Sequence, residues 1–314
     1  MSDDRERGFY RAFEDRFRGS RDQIKERLRV YIPFVKSLKS VGQVPAALDL
    51  GCGRGEWLEL LTENGLDPIG VDIDEGMLEA TRSRGLNVAK SDAISYLQEQ
   101  PAESLSIVSA FHVVEHLKFV DLQVLTKEAL RVLKPGGVLI LETPNPENLK
   151  VGTSNFYLDP THVNPIPTGL LLFLVEYYGF SRVKALRLQE PDGLESAEQV
   201  TLSDVLSGVS PDYAIVAQKG GDEAATMASD SAFATEHGLT LDLLAARFDA
   251  GIPRLNQISA ELEGIHARVI DLECRLLECQ AAADRALHET DAMRKSMSWR
   301  LTRPLRALRR WTFR

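Results

Sequence analysis

Apolar and polar positions along the chain fall into three regimes. From about residue 9 to 35, Phe13, Phe17, Ile24, Leu28 and Tyr31 recur at steps that suit one helical stripe. That spacing predicts an amphipathic N-terminal helix, with residues 1–40 as a helical segment or lid. From 46 to 219, short apolar runs at 47–50, 69–71, 86–88, 106–110, 138–141, 182–188 and 213–217 alternate with helical stretches. The clearest helix covers 121–133, with Asp121 placed to cap it and Pro135-Gly136-Gly137 to stop it. Strands alternating with helices predict an α/β domain over 41–219, a Rossmann-like, doubly wound, seven-stranded and mostly parallel sheet.

The third regime is helical. Residues 220–238 are small, polar and acidic, and read as a linker. Beyond them Leu255, Leu262, Val269 and Leu276 take one seam position of a heptad, and Ile258, Ile265, Leu272 and Cys279 take the other. Ala283, Ala286, Met293 and Met297 continue the register, so an α-helical coiled coil is expected over 239–298. Leu at the first seam position with Ile at the second disfavours two strands, so the chain is expected to be a homo-oligomer, a trimer. A rod from Leu255 to Met297 would span roughly 60 Å. The alternative is a single amphipathic helix folded back on the domain.

Charge adds a fourth segment. The 314 residues carry a net charge of −9, which argues against nucleic acid as a partner. From Met293 onward, however, Arg294, Lys295, Arg300, Arg303, Arg306, Arg309, Arg310 and Arg314 appear with no acid. Over 299–314 these arginines interleave with Trp, Leu and Phe, which predicts a basic amphipathic tail lying on an anionic membrane surface. Docking to another protein of the same pathway is the alternative. The charged N-terminus lacks the apolar run of a signal peptide, and no stretch reaches the ~20 apolar residues of a membrane span. The expected location is the cytoplasm, peripherally bound to the inner face of the cytoplasmic membrane. Three cysteines without paired spacing suggest reduced thiols and neither a disulfide nor a zinc framework.

The chemistry concentrates at strand ends. The first strand, ending in Asp49-Leu50, breaks into Gly51-Cys52-Gly53-Arg54-Gly55 before a helix resumes. Spaced glycines in a strand-to-helix turn permit close approach of a ligand. Asp72 stands at the tip of the second strand, roughly twenty residues on, where an acid accepts hydrogen bonds from ribose hydroxyls. Together these predict a site for a nucleoside-bearing cofactor. A dinucleotide would call for G-x-G-x-x-G and a helix N-terminus holding pyrophosphate. Here the spacing is G-x-G-x-G, and Asp49 would repel phosphate but suits the ammonium group of a methionine moiety.

LDLGCGRGEWL, GVDID, Ser91-Asp92-Ala93, Phe111 to Leu117 and Leu133-Lys134-Pro135-Gly136-Gly137 resemble, in order and spacing, successive motifs of class I S-adenosylmethionine-dependent methyltransferases. The resemblance covers 46–219. It implies S-adenosyl-L-methionine as cofactor, with Asp49, Gly51, Gly53, Gly55, Asp72, Asp92, Ala93 and His112 around it and Asp92 facing the adenine. His112-x-x-Glu115-His116 also fits an inverted zinc-protease pattern, but it follows a buried strand and no third ligand is obvious, so no metal is expected. Some methyltransferases with a similar Glu-His pair hold a divalent cation near the acceptor, which is the other reading. Without one, Glu115 lines the pocket and His116 is a hydrogen-bonded histidine.

Acceptor-side residues are expected in the loops after the fifth strand, at 142–148 and 155–162. His162 is the candidate general base, with Tyr157 and Asp159 orienting it or the acceptor; a loop-stapling histidine is the alternative. Tyr10, Arg18 and Arg21 are candidate lid or acceptor residues, or a solvated helix face. Phe9 to Arg21, the DPTH loop and Leu186 to Glu190 resemble O-antigen chain-terminating methyltransferase/kinases, although no kinase glycine loop, H-R-D or D-F-G follows residue 219. That resemblance implies an O-methyltransferase acting on a cell-surface polysaccharide terminus or its lipid-linked glycan precursor, capping chain growth beside polysaccharide-assembly glycosyltransferases. The acceptor group is then a sugar hydroxyl or a phosphate installed by another enzyme. A methyltransferase for a soluble small metabolite, and a non-catalytic coiled-coil scaffold, are the competing readings.

Overall fold

The computed structural model describes residues 19–36, 38, 44–221, 227–304 and 306. Tyr10, Arg18, Phe13, Phe17 and most of the basic tail lie outside the described residues. The chain divides into two compact units, Met1–Phe248 and Asp249–Arg314.

In the first unit, β1 (Ala46–Leu50), β2 (Asp67–Asp72), β3 (Val88–Lys90), β4 (Leu105–Phe111), β5 (Leu133–Pro144), β6 (Arg182–Leu188) and β7 (Asp212–Gln218) form one sheet in the order β3-β2-β1-β4-β5-β7-β6. β7 runs antiparallel to both neighbours and all other pairings are parallel. Side chains alternate across the sheet, which splits the core into two layers. Leu48, Leu50, Val108, Leu139, Leu141 and Ile215 pack with the helices Phe119–Val132 and Thr168–Tyr178. On the other face Ala47, Ile107, Ile140, Leu186 and Val216 pack with the helix Glu56–Glu63 and the N-terminal segment. The seven-stranded, doubly wound architecture expected from the sequence is the one observed.

Boundaries differ where local chemistry competes. The N-terminal stretch is not one helix: Ser20 caps Arg21–Leu28, a 3-10 turn follows at Arg29–Tyr31, and Ile32–Lys36 completes it. Lys118, not Asp121, precedes the helix Phe119–Val132, and Asp121 sits in its first turn, where a carboxylate favours the positive helix end. Pro135-Gly136-Gly137 does not separate helix from strand. β5 already starts at Leu133, and the Pro-Gly pair is absorbed as an irregularity between the pairs Leu105–Leu133 and Ile107–Val138.

The segment read as a linker is largely part of the domain. Asp230–Ala234 is a helix whose Phe233 packs edge-on to Phe34 with ring centres 5.1 Å apart. The Arg182 guanidinium lies 4.2 Å from the Phe233 ring centre, and Lys184 Nζ donates to the Phe233 carbonyl at 2.9 Å. Leu239 and Leu244 are buried with Leu194 and Val209. One aromatic and a few small apolar side chains anchor a stretch whose overall composition is polar, so composition hides the contact.

The second unit continues the helix Leu241–Lys295, 55 residues and so about 80 Å long. Ile258, Leu262, Ile265, Val269, Leu272 and Leu276 are exposed along it. Among the described residues no helix is long and apolar enough to cross a membrane. At the end of this unit the Arg306 guanidinium stacks 3.7 Å from the Trp299 ring centre.

Candidate active site

The site lies at the carboxyl ends of β1, β2, β4 and β5, where parallel strands leave a crevice. Leaving β1, the backbone turns so that the amides of Gly51 and Cys52 both donate to the Val71 carbonyl, at 2.8 and 3.0 Å. Gly51 and Gly55 have φ of +69° and +78°, the left-handed region that side chains disfavour. A Cβ on Gly55 would also lie 2.7 Å from Thr81 Cγ2 and 2.9 Å from Leu86 Cδ1. Both glycines are therefore required by backbone and packing together.

Asp72 fixes this loop. Its Oδ2 accepts from the Gly53 amide at 2.9 Å and its Oδ1 from the Asp74 amide at 2.9 Å. Beside it Ile73 is exposed, an apolar surface next to a carboxylate. On the neighbouring strand end Asp92 caps the helix Ala93–Glu99 through the Ser95 amide at 2.9 Å, and it is solvent-exposed. Asp49 is buried beneath the loop and accepts from Ser109 Oγ at 2.7 Å; Ser109 in turn accepts from Trp57 Nε1 at 3.0 Å.

The donor set separates two classes of nucleoside cofactor. The helix after the glycine loop opens with Glu56 and Glu59, and buried Glu56 meets Arg54 at 3.0 Å and Arg21 at 3.2 Å. Carboxylates thus occupy the helix end where a pyrophosphate would otherwise sit. Asp49, Asp72 and Asp92 suit hydroxyls, amines and a cationic sulfonium. S-Adenosylmethionine fits this set.

A second cluster forms where β4 ends. His112 has φ of +54°, and its half-exposed ring bridges two carboxylates, Nδ1 to Glu115 Oε1 at 3.1 Å and Nε2 to Glu142 Oε1 at 3.4 Å. Partial burial opposes the charged imidazolium. The hydrogen bonds to Glu115 and Glu142, with the Asp212 charge nearby, outweigh it and hold the His112 pKa well above the ordinary value. Desolvation would raise Glu115, yet its hydrogen bond to His112 brings it below the usual carboxylate range. Burial, then the negative charge of Glu142, pushes Asp212 up to about 6. Fully buried Tyr31 donates a short hydrogen bond to Glu142 Oε2, and Thr143 Oγ1 donates to Glu115 Oε2 at 3.0 Å. Burial also raises the Tyr31 phenol well above its usual value, so it is a donor throughout the accessible range.

The acceptor loop joins this cluster from the far side. The Val163 amide donates to the Glu115 carbonyl at 2.8 Å, and His116 and His162 stack edge-on with ring centres 4.7 Å apart. Buried Asp159 accepts from the Thr161 hydroxyl at 2.6 Å and lies 3.9 Å from His162 Nε2. So His162, Asp159, His116, Glu115 and His112 are brought together. Tyr157 is not: it is 62% exposed and packs on Phe156. Arg21 is neither a solvated residue nor an acceptor contact. Its guanidinium bonds Glu59 at 2.8 Å and the Arg54 carbonyl at 2.6 Å, tying the N-terminal helix to the glycine loop.

Glu142, Tyr31 and Asp212 were absent from the residues expected at the site. Glu142 follows the fifth apolar run and was legible as a strand-end acid. Tyr31 read only as part of an apolar stripe, and Asp212 precedes an antiparallel strand whose pairing the sequence does not disclose.

A model described as a methyltransferase domain matches residues 21–185, just over half of the chain. An S-adenosylmethionine-dependent methyltransferase structure from Archaeoglobus fulgidus is 38% identical, with a TM-score of 0.60 over 67% of this chain and 100% of that one. A probable S-adenosylmethionine-dependent methyltransferase from Mycolicibacterium smegmatis is 32% identical over 133 residues, 42% of this chain and 51% of that protein. A ubiquinone biosynthesis O-methyltransferase from Bradyrhizobium diazoefficiens is 38% identical over 117 residues, 35% of this chain and 44% of that protein. A trans-aconitate 2-methyltransferase from Rhizobium rhizogenes is 33% identical over 144 residues, 44% of this chain and 49% of that protein. The chain spans about half the length of these curated relatives. With its glycine-floored, carboxylate-lined crevice at the switch point of the sheet, the chain belongs to the S-adenosylmethionine-dependent methyltransferase family.

Proposed function

We propose that the protein transfers a methyl group from S-adenosylmethionine to a hydroxyl of an uncharged acceptor, a glycan terminus or its lipid-linked precursor. The observation that carries this reading is the acceptor side of the crevice, where Glu115, Glu142 and Asp212 surround His112. Three carboxylates against one imidazolium repel a phosphate or carboxylate acceptor, so of the acceptor groups considered the sugar hydroxyl is favoured over the phosphate. The bound donor supplies a methyl carbon already activated by its sulfonium. The protein's part is to hold the acceptor oxygen in line with that carbon and to receive its proton. As the O–C bond forms, the C–S bond pair returns to sulfur, leaving a neutral thioether, and the hydroxyl proton is released. His162 suits proton acceptance: its Nδ1–H is spent on the Phe156 carbonyl at 2.6 Å, which leaves Nε2 with the lone pair.

The glycan acceptor is supported by the second unit. An 80 Å helix with an exposed heptad seam, followed by a basic aromatic tail, suits a catalytic head held near an anionic leaflet. With Leu262 and Ile265 as seam residues, Arg268 and Glu289 fall at g positions and Glu273 and Arg294 at the e positions five residues on. Parallel, in-register neighbours therefore bring opposite charges together, which favours self-association. Mass spectrometry of surface glycan from cells with and without the gene tests the reading. A methyl ether lost with the gene is expected, and an unchanged glycan overturns it. A soluble small-molecule acceptor is the second reading, favoured by the ubiquinone and trans-aconitate names among the relatives. It predicts activity independent of the tail and of membranes.

A further inference from the structure

We propose that Glu115, His116 and His162 form a site for a divalent transition-metal ion. In sequence the third ligand was missing; the fold supplies it by bringing the loop after β5 against the turn after β4. One ligand atom of each residue lies within 4.8 Å of the others. A bound ion at about 2.1 Å from each would need them roughly 3–3.5 Å apart, a closure that side-chain rotation provides.

The hydrogen bonds fix which imidazole nitrogens remain for a metal. The Thr161 hydroxyl gives its single proton to Asp159 Oδ1 at 2.6 Å, so toward His116 Nδ1, 2.9 Å away, it acts as an acceptor. His116 therefore carries Nδ1–H and keeps a lone pair on Nε2. His162 Nδ1 faces the Phe156 carbonyl at 2.6 Å, an acceptor only, which fixes the same tautomer. Two histidines with Nδ1–H tied to a hydroxyl–carboxylate relay and to a backbone carbonyl have the outer partners that metal-ligating imidazoles use. Glu115, fully buried, is oriented from both sides by His112 and Thr143. Two lone-pair nitrogens beside a buried carboxylate repel one another unless a cation lies among them.

The neighbouring group His112, Glu142 and Asp212 also gathers potential ligands, but the same test excludes it. Both nitrogens of His112 face carboxylates and act as donors, so no lone pair remains. Two imidazoles and one carboxylate suit Zn²⁺ or Co²⁺ better than Mg²⁺, which prefers oxygen ligands and water. Three protein ligands leave a position open. On the methyl-transfer reading, the acceptor hydroxyl would take it and lose its proton more readily.

Cobalt titration of the full-length protein, without donor or acceptor, tests the site. Wild type is expected to bind one equivalent of Co²⁺ with a visible ligand-field absorption that Zn²⁺ abolishes. His116→Ala and His162→Ala should each lose affinity by more than the roughly 10–100-fold expected for an outer partner, and Thr161→Val by about 10-fold. Far-UV circular dichroism and S-adenosylmethionine binding report whether each variant is folded. A folded wild type that takes up no Co²⁺, or uptake that persists in both histidine variants, overturns the proposal. Because the titration needs no methyl donor, its failure is distinguishable from failure of the methyl-transfer reading.

Discussion

Asp72→Asn isolates the contribution of the carboxylate that holds the glycine loop. In the structure each oxygen of Asp72 accepts one backbone amide, Gly53 on Oδ2 and Asp74 on Oδ1, both at 2.9 Å. An asparagine offers one acceptor oxygen, so either amide must face an NH₂ group or water. Losing one hydrogen bond to a charged partner costs about 1.5–3 kcal/mol, with exposure of the site favouring the lower figure. At roughly 2–4 °C per kcal/mol for a domain of this size, the melting temperature should fall by about 3–8 °C. Donor affinity should fall further, because the same carboxylate serves the loop and the ribose hydroxyls; a 10–100-fold rise in Kd is expected. Calorimetric titration with S-adenosylmethionine and with its demethylated product, beside thermal melts, separates the two effects. An Asp72→Asn variant with wild-type Kd and Tm would refute the assigned role of this carboxylate.

The other predictions follow from burial, charge and periodicity. Asp212 titrates near 6 in the fold, above the ordinary carboxylate value, so its contribution to stability is complete below about pH 4 and lost as pH rises through 6. Asp212→Asn should therefore be more stable than wild type at pH 8 by about 1–3 kcal/mol and indistinguishable from it below pH 4; chemical denaturation at both values checks the sign. Phe233→Ala removes the aromatic anchor of Asp230–Ala234 and should cost about 3 kcal/mol by denaturant melts, whereas a true linker would show no change. Ile265→Asp with Leu272→Asp places acids at two adjacent seam layers and should convert the chain to a monomer in sedimentation; an already monomeric wild type would contradict the coil.

What the sequence disclosed follows how local each signal is. Strand-turn-helix alternation and the Gly51-Gly53-Gly55 turn are set within a few residues, and they gave both fold and donor site. His162 could be named from its loop, but its partners Glu115, His116 and Thr161 are set by the packing of two distant turns. Tyr31 illustrates the limit: its ring belongs to the apolar stripe, and only the fold shows its hydroxyl meeting Glu142. The segment after Lys219 failed for the opposite reason, since Phe233 alone outweighs a polar composition. Tyr157 stood among the site candidates by adjacency, yet an extended, exposed turn directs it away from the cluster.

The most direct test is equilibrium titration of the purified full-length protein with S-adenosylmethionine, with NAD⁺ as a competitor. Saturable binding of S-adenosylmethionine in the micromolar range, undisturbed by NAD⁺, is the expected result. A folded protein that shows no binding heat with S-adenosylmethionine, or that prefers the dinucleotide, would contradict the account of the glycine loop and its carboxylates.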